Sequence, residues 1–209
     1  MAFVILIISA YLLGSIPFGL IIAKAHGKDL RNIGSGNIGA TNLSRALGEK
    51  WAYLCFTMDA AKGFAPMLGV TKFISSPPNT IELFLVITVG LAAVLGHIFP
   101  IYIKFKGGKG VATSFGVALG LWPYYTICAI AAFVLWLVVV LLWRYISLAS
   151  ISASIAFPLI FVLAIILMPT WDFTNLWPLL IVAIAIPLMV ILRHRENIKR
   201  LKAGIENKI

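Results

Sequence analysis

The sequence predicts an all-α integral membrane protein, and both its composition and the length of its apolar runs indicate this class. Hydrophobic residues make up 61% of the 209 residues, charged residues make up 11%, and the mean hydropathy is +1.02. A soluble globular domain is about half apolar and about a quarter charged. Apolar runs near the ~20 residues that a helix needs to cross a bilayer recur along the whole chain.

Seven apolar runs predict a bundle of seven transmembrane helices. The fourth run is the short one, since its apolar core has about 12 residues where a span asks for about 20, and it contains Gly116 and Gly120. Because no run of soluble composition is long enough to form a second domain, residues 1–209 are expected to form a single transmembrane domain. In chain order the runs are Ala2–Ala23, Trp51–Phe73, Ile81–Phe99, Val111–Trp122, Pro123–Trp143, Ile146–Met168 and Trp177–Leu192.

The distribution of basic residues supports seven spans and orients them. With seven spans, the loops 24–50 and 96–110, Arg144 and the tail from Arg193 share one face, and Lys72 is the one basic residue opposite. The positive-inside rule makes that face cytoplasmic, so the N-terminus is expected outside and the C-terminus in the cytoplasm. If the fourth run did not cross, the basic tail would be exported, which the same rule disfavours.

Other classes of protein fit the sequence less well. The net charge of +10 does not indicate nucleic-acid binding, because the basic residues lie in short loops at helix ends. Cys55 and Cys128 lie in apolar runs and are expected to be small buried side chains. The first run has no basic segment before it, so it is expected to be a helix and not a cleaved signal peptide. Neither a metal nor a cofactor is predicted, and the oligomeric state is left open.

The segment FKGGKG, Phe105–Gly110, predicts a phosphate-binding loop at the start of the short fourth helix. Glycine lets backbone N–H groups approach an anion, and Lys104, Lys106 and Lys109 add positive charge. The helix dipole would contribute further positive potential. The segment lacks the first glycine and the final Ser or Thr of a Walker A loop, so nucleotide hydrolysis is not predicted. His97, which precedes the loop, is expected to be structurally satisfied.

The polar segment Leu30–Gly48, LRNIGSGNIGATNLSRALG, predicts a second anion-binding loop. Arg45 can clamp a phosphate with two hydrogen bonds. Gly34–Gly39 matches the pattern GxGxxG, but membrane helices and not a βαβ unit flank it, so dinucleotide binding is not predicted. A flexible polar connector is the alternative for one such loop, and two loops on one face favour anion binding. Four further side chains can donate to phosphate or carbonyl oxygens: Ser35, Asn37, Thr41 and Asn42.

Charged and polar residues also occur at and between the later helices. Asp59 and Lys62 are three residues apart and share one face of the second helix. Such a pair inside the membrane either neutralises itself and supports packing, or lets Lys62 reach a ligand anion. The segment Arg193–Glu206 is expected to form a basic helical tail in which His194 and Asn197 face the same way, with an amphipathic surface anchor as the alternative. A short polar edge is expected at Arg144, Ser147 and Ser150.

Taken together, these motifs resemble those of the bacterial membrane glycerol-3-phosphate acyltransferases that take their acyl group from acyl phosphate. The resemblance covers nearly the whole chain. It implies a seven-helix enzyme of the plasma (inner) membrane with its active site on the cytoplasmic face. It further implies transfer of the acyl group to the 1-hydroxyl of sn-glycerol 3-phosphate, giving lysophosphatidic acid in the first step of phospholipid synthesis. The matching motifs are GSGNIGATN with Arg45, DAAKG at 59–63, GHIFP through FKGGKGVAT at 96–113, YISLAS at 145–150, and HRENIKRL through Glu206.

The resemblance and the polar residues of the loops together give the expected site residues. The expected catalytic residues are Ser35, Arg45, His194 and Asn197. The residues expected to bind glycerol 3-phosphate and acyl phosphate are Asn37, Thr41, Asn42, Lys62, Lys104, Gly107, Gly108, Lys109, Gly110 and Ser147. Asp59 and Glu206 are expected to be structural.

The sequence leaves alternatives open for the identity of the general base and for the class of function. No H-x-x-x-x-D pattern follows any histidine, so the base is either His194 or a phosphate of the substrate, whose second pKa is about 6. A membrane transporter of an organic phosphate would have similar basic loops but would place its site near the midplane. A non-enzymatic membrane scaffold is the third interpretation.

Overall fold

The computed structural model describes residues 1–75 and 78–209, and all regular secondary structure in these ranges is helical, as predicted. Short 3-10 turns at Leu30–Asn32, Thr71–Phe73 and Ile101–Ile103 join some of the helices. The α-helices of the described ranges are α1 (Ala2–Gly14), α2 (Phe18–Ala25), α3 (Ala40–Leu47), α4 (Glu49–Val70), α5 (Thr80–Ile98), α6 (Val111–Gly120), α7 (Tyr124–Trp143), α8 (Ile146–Leu167), α9 (Phe173–Arg193) and α10 (Arg195–Lys202).

Within the described residues, five helical stretches are long and apolar enough to cross a membrane. They are Ala2–Ala25, Thr80–Ile103, Tyr124–Trp143, Ile146–Leu167 and Phe173–Arg193. The other two predicted spans correspond to α4 and α6. Helix α4 has 22 residues but carries Asp59 and Lys62 near its centre, and α6 has only 10 residues, about half of what a span needs. The count of seven spans and the orientation of the termini therefore stay predictions.

The first apolar run contains two helices, where the sequence analysis expected one. Helix α1 ends at Gly14 and α2 begins at Phe18. Between them lies Pro17, which has no N–H group to donate and whose ring disfavours a helical conformation at the residue before it. In the break the carbonyl of Ile16 accepts the N–H of Phe18 at 3.2 Å, and its second lone pair can accept from another helix, a feature that matters for the site.

The described chain divides into two compact units. The first comprises Met1–Phe73 and Thr88–Gly120, and the second comprises Ile74–Ile87 and Leu121–Ile209. In the first unit α4 is the central helix and packs against α1, α2, α3 and α6; in the second, α8 packs against α7, α9 and α10. The first unit holds both predicted anion-binding segments, and the second holds the polar C-terminal residues.

Glycines let α4 and α6 touch backbone to backbone in the first unit. A Cβ atom on Gly63 of α4 would lie 2.2 Å from the carbonyl oxygen of Thr113, and one on Gly116 of α6 would lie 1.9 Å from that of Ala60. Real Cβ atoms do not approach so closely, so these positions accept no side chain without movement of a helix. This contact fixes the start of the short helix α6 against α4. It also fixes the end of the segment Phe105–Gly110, called the glycine loop below.

Candidate active site

Asn42 organises the first predicted anion-binding segment, and it does so from a helix where a loop was expected. The segment Leu30–Gly48 contains α3, and Asn42 lies in it with 2% of its surface exposed. Its Nδ2 donates to the carbonyl oxygens of Leu30 and Ile33 at 3.0 and 2.9 Å. Its Oδ1 accepts the N–H of Ser35 at 3.0 Å. In the structure this amide holds the turn that leads to Ser35, and a contact with substrate stays a prediction.

Ser35 lies in this turn, and Arg45 lies in the last turn of α3. Both side chains are exposed, whereas Asn42 and Leu43 fill the buried face of α3. Gly34 has a left-handed φ of +55°, and a Cβ atom there would lie 3.3 Å from Cδ of Arg45. The stem of Arg45 therefore packs beside the residue that precedes Ser35. Arg45, in the last turn of α3, therefore lies beside the turn that carries Ser35.

The other polar residues of the segment shape the turn before α3. Asn37 Oδ1 accepts the N–H of Gly39 at 2.9 Å, and the N–H of Asn37 approaches Ser35 Oγ at 3.5 Å. Thr41 is half-buried in the first turn of α3. Because Ser35 Oγ acts as an acceptor here, its hydroxyl hydrogen is available to donate to a ligand.

Two glycines of the glycine loop donate to backbone carbonyls. The N–H of Gly107 donates to the carbonyl of Ile98 at 3.2 Å, and that of Gly108 donates to the carbonyl of His97 at 3.1 Å. At these two positions the N–H groups tie the loop to the end of α5, and their contact with a substrate anion stays a prediction. A Cβ atom on Gly107 would lie 2.1 Å from His97 O. Close backbone approach therefore explains the need for glycine here.

The lysines of this loop and the start of α6 give it a positive electrostatic potential. Lys104 is exposed and Lys109 is half-buried, and Gly110 takes a left-handed φ of +88° just before α6 begins at Val111. The first N–H groups of a helix have no acceptor within that helix, and the dipole makes this end positive. The lysines and the start of α6 would favour an anion here, although the N–H groups of Gly107 and Gly108 donate to backbone carbonyls. That an anion binds to this loop stays a prediction.

Asp59 and Lys62 form the ion pair that their spacing predicts. Lys62 Nζ lies 2.8 Å from Asp59 Oδ1, and each residue is 3% exposed. Nζ also donates at 2.7 Å to the carbonyl of Ile16, which lies in the break between α1 and α2. The ammonium thus joins α4 to that break in the structure. A direct contact of Lys62 with a substrate anion stays a prediction.

A narrow cleft adjoins this ion pair. Ile38 comes from the first anion-binding segment, and Pro100 comes from the turn that leads into the glycine loop. Both line one cleft of the first unit, so Ile38 of the first segment lies near the turn that precedes the glycine loop. The polar and apolar side chains around the opening include Ile16, Phe18, Ile38, Lys62, His97 and Pro100.

The C-terminal tail is shorter as a helix than predicted. Helix α10 ends at Lys202, and Gly204, with a φ of +69°, turns the chain back toward it. The expected continuous helix from Arg193 to Glu206 was therefore wrong, because His194 interrupts it at one end and the glycine turn ends it at the other.

Glu206 is the acceptor of a buried polar cluster in the second unit. Its Oε1 accepts from Asn197 Nδ2 at 2.6 Å and from Ser147 Oγ at 2.8 Å, and its Oε2 accepts from Arg200 Nε at 2.6 Å. Nothing in the sequence indicates that these residues meet, since Ser147 and Glu206 are 59 residues apart. The cluster suits the structural role expected for Glu206, and the substrate role of Ser147 and the catalytic role of Asn197 stay predictions.

His194 lies at the junction of α9 and α10 and is 3% exposed. Its Nδ1 is 2.8 Å from the carbonyl of Val190. A carbonyl can only accept, so Nδ1 carries the hydrogen, and Nε2 is the basic nitrogen of the neutral ring.

We expect Glu206→Gln to destabilise the protein at neutral pH but not in acid. Burial raises the pKa of the Glu206 carboxyl, but the hydrogen bonds from Asn197, Ser147 and Arg200 outweigh it and hold this pKa below its ordinary value. A lowered folded-state pKa gives stability that is present above the pKa of an unfolded glutamate, about 4.3, and is lost as pH falls through the folded pKa. The melting temperature of the solubilised variant should lie about 2–8 °C below that of the parent at pH 7.

The difference in melting temperature between parent and Glu206→Gln should shrink as the pH falls below about 4. Glu196→Gln is the matched control, because that carboxylate is 59% exposed and pairs only at the surface with Arg195 and Lys199. Equal melting temperatures of the parent and Glu206→Gln at pH 7 would contradict this role.

Comparisons with known proteins agree with the resemblance seen in the sequence motifs. The family model described as Glycerol-3-phosphate acyltransferase matches residues 4–204. The glycerol-3-phosphate acyltransferase of Aquifex aeolicus is 47% identical in an alignment of 206 positions that covers 97% of each chain. Both are similarities along almost the entire chain.

Two crystal structures of PlsY, an integral membrane glycerol 3-phosphate acyltransferase, have the same fold. The glycerol 3-phosphate form has a TM-score of 0.87 at 44% identity, and the lysophosphatidic acid form has a TM-score of 0.85 at 43% identity. Each comparison covers 100% of this chain and 96% of the other. Sequence, fold and motif order therefore agree that this chain belongs to the family of integral membrane glycerol-3-phosphate acyltransferases.

Proposed function

We propose that this protein transfers a fatty acyl group from acyl phosphate to the 1-hydroxyl of sn-glycerol 3-phosphate, giving lysophosphatidic acid and phosphate. The observation that carries the proposal is the match of the glycerol-3-phosphate acyltransferase family model to residues 4–204. Both substrates are phosphates, and two segments that carry cations, Arg45 in one and Lys104 and Lys109 in or beside the other, suit two phosphates. The crystallised relatives in glycerol 3-phosphate and lysophosphatidic acid forms support the same acceptor and product.

In the proposed reaction the 1-hydroxyl oxygen of glycerol 3-phosphate attacks the acyl carbonyl carbon. A new ester bond forms, the bond between the acyl carbon and the phosphate oxygen breaks, and phosphate leaves with the bonding electrons. Arg45, Lys104 and Lys109 neutralise the phosphate charges, and Ser35 donates to the carbonyl oxygen as it becomes an oxyanion. The hydroxyl proton passes to a base.

The base is either Nε2 of His194 or a phosphate of the substrate, whose second pKa is about 6. If His194 is the base, His194→Ala should lower kcat by about 10²–10⁴-fold. A loss below about tenfold would assign the proton to the phosphate. His26→Ala is the matched control, because His26 Nδ1 makes the same 2.8 Å bond to the carbonyl four residues earlier, at Ile22, but on an exposed helix end.

We further propose that α4 and α6 complete a seven-helix arrangement in the plasma (inner) membrane, with the N-terminus outside and the active site on the cytoplasmic face. Helix α4 is about 33 Å long at 1.5 Å per residue, sufficient to cross, and Asp59 and Lys62 neutralise each other within it. The short α6 is held by its backbone contact with α4. The clustering of basic residues on one face supports this orientation.

The proposal is tested with the purified protein in liposomes, supplied with labelled glycerol 3-phosphate and a long-chain acyl phosphate. We expect labelled lysophosphatidic acid to form, and we expect no accumulation of glycerol 3-phosphate inside the liposomes when the acyl donor is omitted. Uptake of glycerol 3-phosphate without any lysophosphatidic acid would overturn the enzyme and favour a transporter.

A further inference from the structure

We propose that His97 is a positioning residue that sets the conformation of the glycine loop by linking Gly108 to the buried pair of Asp59 and Lys62. The inference rests on the proposed function, because the loop is expected to bind glycerol 3-phosphate. His97 lies in the last turn of α5 and is 6% exposed. Its ring lies between the loop on one side and the α4 carboxylate on the other.

On the loop side, His97 holds Gly108 through its backbone and through its ring. The carbonyl of His97 accepts the N–H of Gly108 at 3.1 Å. A Cβ atom on Gly108 would lie 2.2 Å from Nε2 of His97 and 3.1 Å from both neighbouring ring carbons, and these are the three nearest atoms. The ring therefore fills the space beside Gly108. Because Nε2 faces the loop backbone in a buried position, His97 fits a positioning role better than that of a base acting on substrate.

On the α4 side, the ring faces a carboxylate that is itself fixed. His97 Nδ1 lies 3.7 Å from Asp59 Oδ1, a distance longer than a hydrogen bond, and the contact is an ion pair only when the imidazole is protonated. Lys62 holds the same carboxylate oxygen at 2.8 Å and is anchored to Ile16, while Cys55 Sγ lies 3.6 Å from Oδ2. Burying three ionisable side chains is costly unless they are paired. Their arrangement gives the ring a fixed electrostatic support.

Helix α4 thereby fixes the glycine loop at both of its ends. Asp59 acts through His97 on the residues where the loop leaves α5. One turn further along α4, Gly63 packs on the backbone of Thr113 in the first turn of α6, where the loop ends. A change at Asp59 or His97 should therefore displace the loop and weaken glycerol 3-phosphate binding without removing a group that takes part in the chemistry.

The test is a pair of double-mutant cycles. Each compares the parent, two single variants and the double variant, and the apparent KM for glycerol 3-phosphate and kcat are measured for each. Gly108→Ala alone should raise KM about tenfold or more, because the new methyl group collides with the ring and displaces the loop. His97→Ala alone should raise KM less. The double variant His97→Ala with Gly108→Ala should have a KM no higher than His97→Ala alone, because the methyl group then occupies the space that the ring vacated.

Gly107→Ala provides the matched control for this rescue. The atoms nearest to a Cβ at Gly107 are the carbonyl oxygens of His97 and Ile98 and Cδ of Pro100, and His97→Ala removes none of them. The effects of His97→Ala and Gly107→Ala on KM should therefore multiply. Asp59→Asn, which keeps the side-chain shape, should raise KM several-fold while kcat changes by less than about threefold.

Three outcomes would overturn the inference: an unchanged KM in His97→Ala, a Gly108→Ala defect that is equally large with and without the ring, or a rescue of Gly107→Ala. A merely structural His97 would lower the melting temperature of every variant without separating KM from kcat. If the parent protein makes no lysophosphatidic acid, the proposed function fails instead. Melting temperatures then test the link directly, since His97→Ala should restore the stability of Gly108→Ala and not that of Gly107→Ala.

Discussion

Replacing Arg45 by alanine is expected to lower kcat/KM for glycerol 3-phosphate by about 10²–10³-fold, the usual effect of removing one preorganised charged or hydrogen-bonding group from an active site. Arg45 is exposed, its stem packs beside Gly34, and Ser35 follows directly. A guanidinium in this position can bind a phosphate through two parallel hydrogen bonds. Initial rates of lysophosphatidic acid formation over a range of glycerol 3-phosphate concentrations measure the effect.

Two further variants show whether the effect comes from the geometry of Arg45. Arg45→Lys retains the charge but not the fork of donors, so it should recover only part of the lost activity. Lys199→Ala removes a cation that is 74% exposed on α10 and paired with Glu196, and it should leave the rate within about twofold of the parent. A folded Arg45→Ala variant with the parent kcat/KM would remove Arg45 from the site.

Gly107→Ala is expected to raise the apparent KM for glycerol 3-phosphate by about tenfold or more. The added methyl group would lie 2.1 Å from His97 O and 2.7 Å from Ile98 O, so the loop must leave the end of α5. Displacing a binding loop by about 1 Å can cost two orders of magnitude in rate. Steady-state kinetics on a sample whose melting temperature is recorded separate a misplaced loop from a misfolded protein.

Gly69→Ala is the control for the same substitution at a helical glycine of the first unit. A Cβ atom there would meet Leu6 Cδ2 at 3.6 Å, an ordinary van der Waals contact. We expect this variant to match the parent in both KM and melting temperature. An unaltered KM in folded Gly107→Ala would count against the glycine loop as the binding site for glycerol 3-phosphate.

The helical class and much of each helix could be predicted because they depend on local pattern. Apolar runs mark α5, α7 and α8 to within one or two residues, and the i, i+3 spacing of Asp59 and Lys62 places them in contact. The break at Pro17 was visible in the sequence as well, since proline cannot continue the hydrogen bonds of a helix. Because the residues on both sides of Pro17 are strongly apolar, the run was interpreted as one helix.

The parts of the site that could not be predicted depend on which acceptor each hydrogen-bond donor bonds to. The sequence indicates that Gly107 and Asn42 have hydrogen-bond donors. It does not indicate that Gly107 donates to the carbonyl of Ile98. Nor does it indicate that Asn42 donates to the carbonyls of Leu30 and Ile33. Both predictions of an anion partner followed from composition, and the structure shows that backbone carbonyls compete for the same donors. The acceptors lie 9 and 12 residues away from Asn42 in the chain, outside the range of local pattern.

The polar C-terminal residues show the same limit. Glu206 meets Ser147 only because Gly204 reverses the chain after α10. A glycine two residues before a glutamate does not by itself indicate that turn, and a continued helix would have pointed the carboxylate elsewhere. Tertiary contacts and not local propensity decide where the last helix ends.

The most direct measurement of the central claim compares acyl donors for the purified protein at saturating glycerol 3-phosphate. A long-chain acyl phosphate, the matching acyl-CoA and the matching acyl carrier protein are each supplied alone, with a reaction that lacks the enzyme as the reference. We predict that lysophosphatidic acid forms from acyl phosphate with release of one phosphate per product, and that neither thioester supports a rate above the reference. A rate from acyl-CoA or acyl carrier protein equal to that from acyl phosphate would contradict a site built for two phosphates.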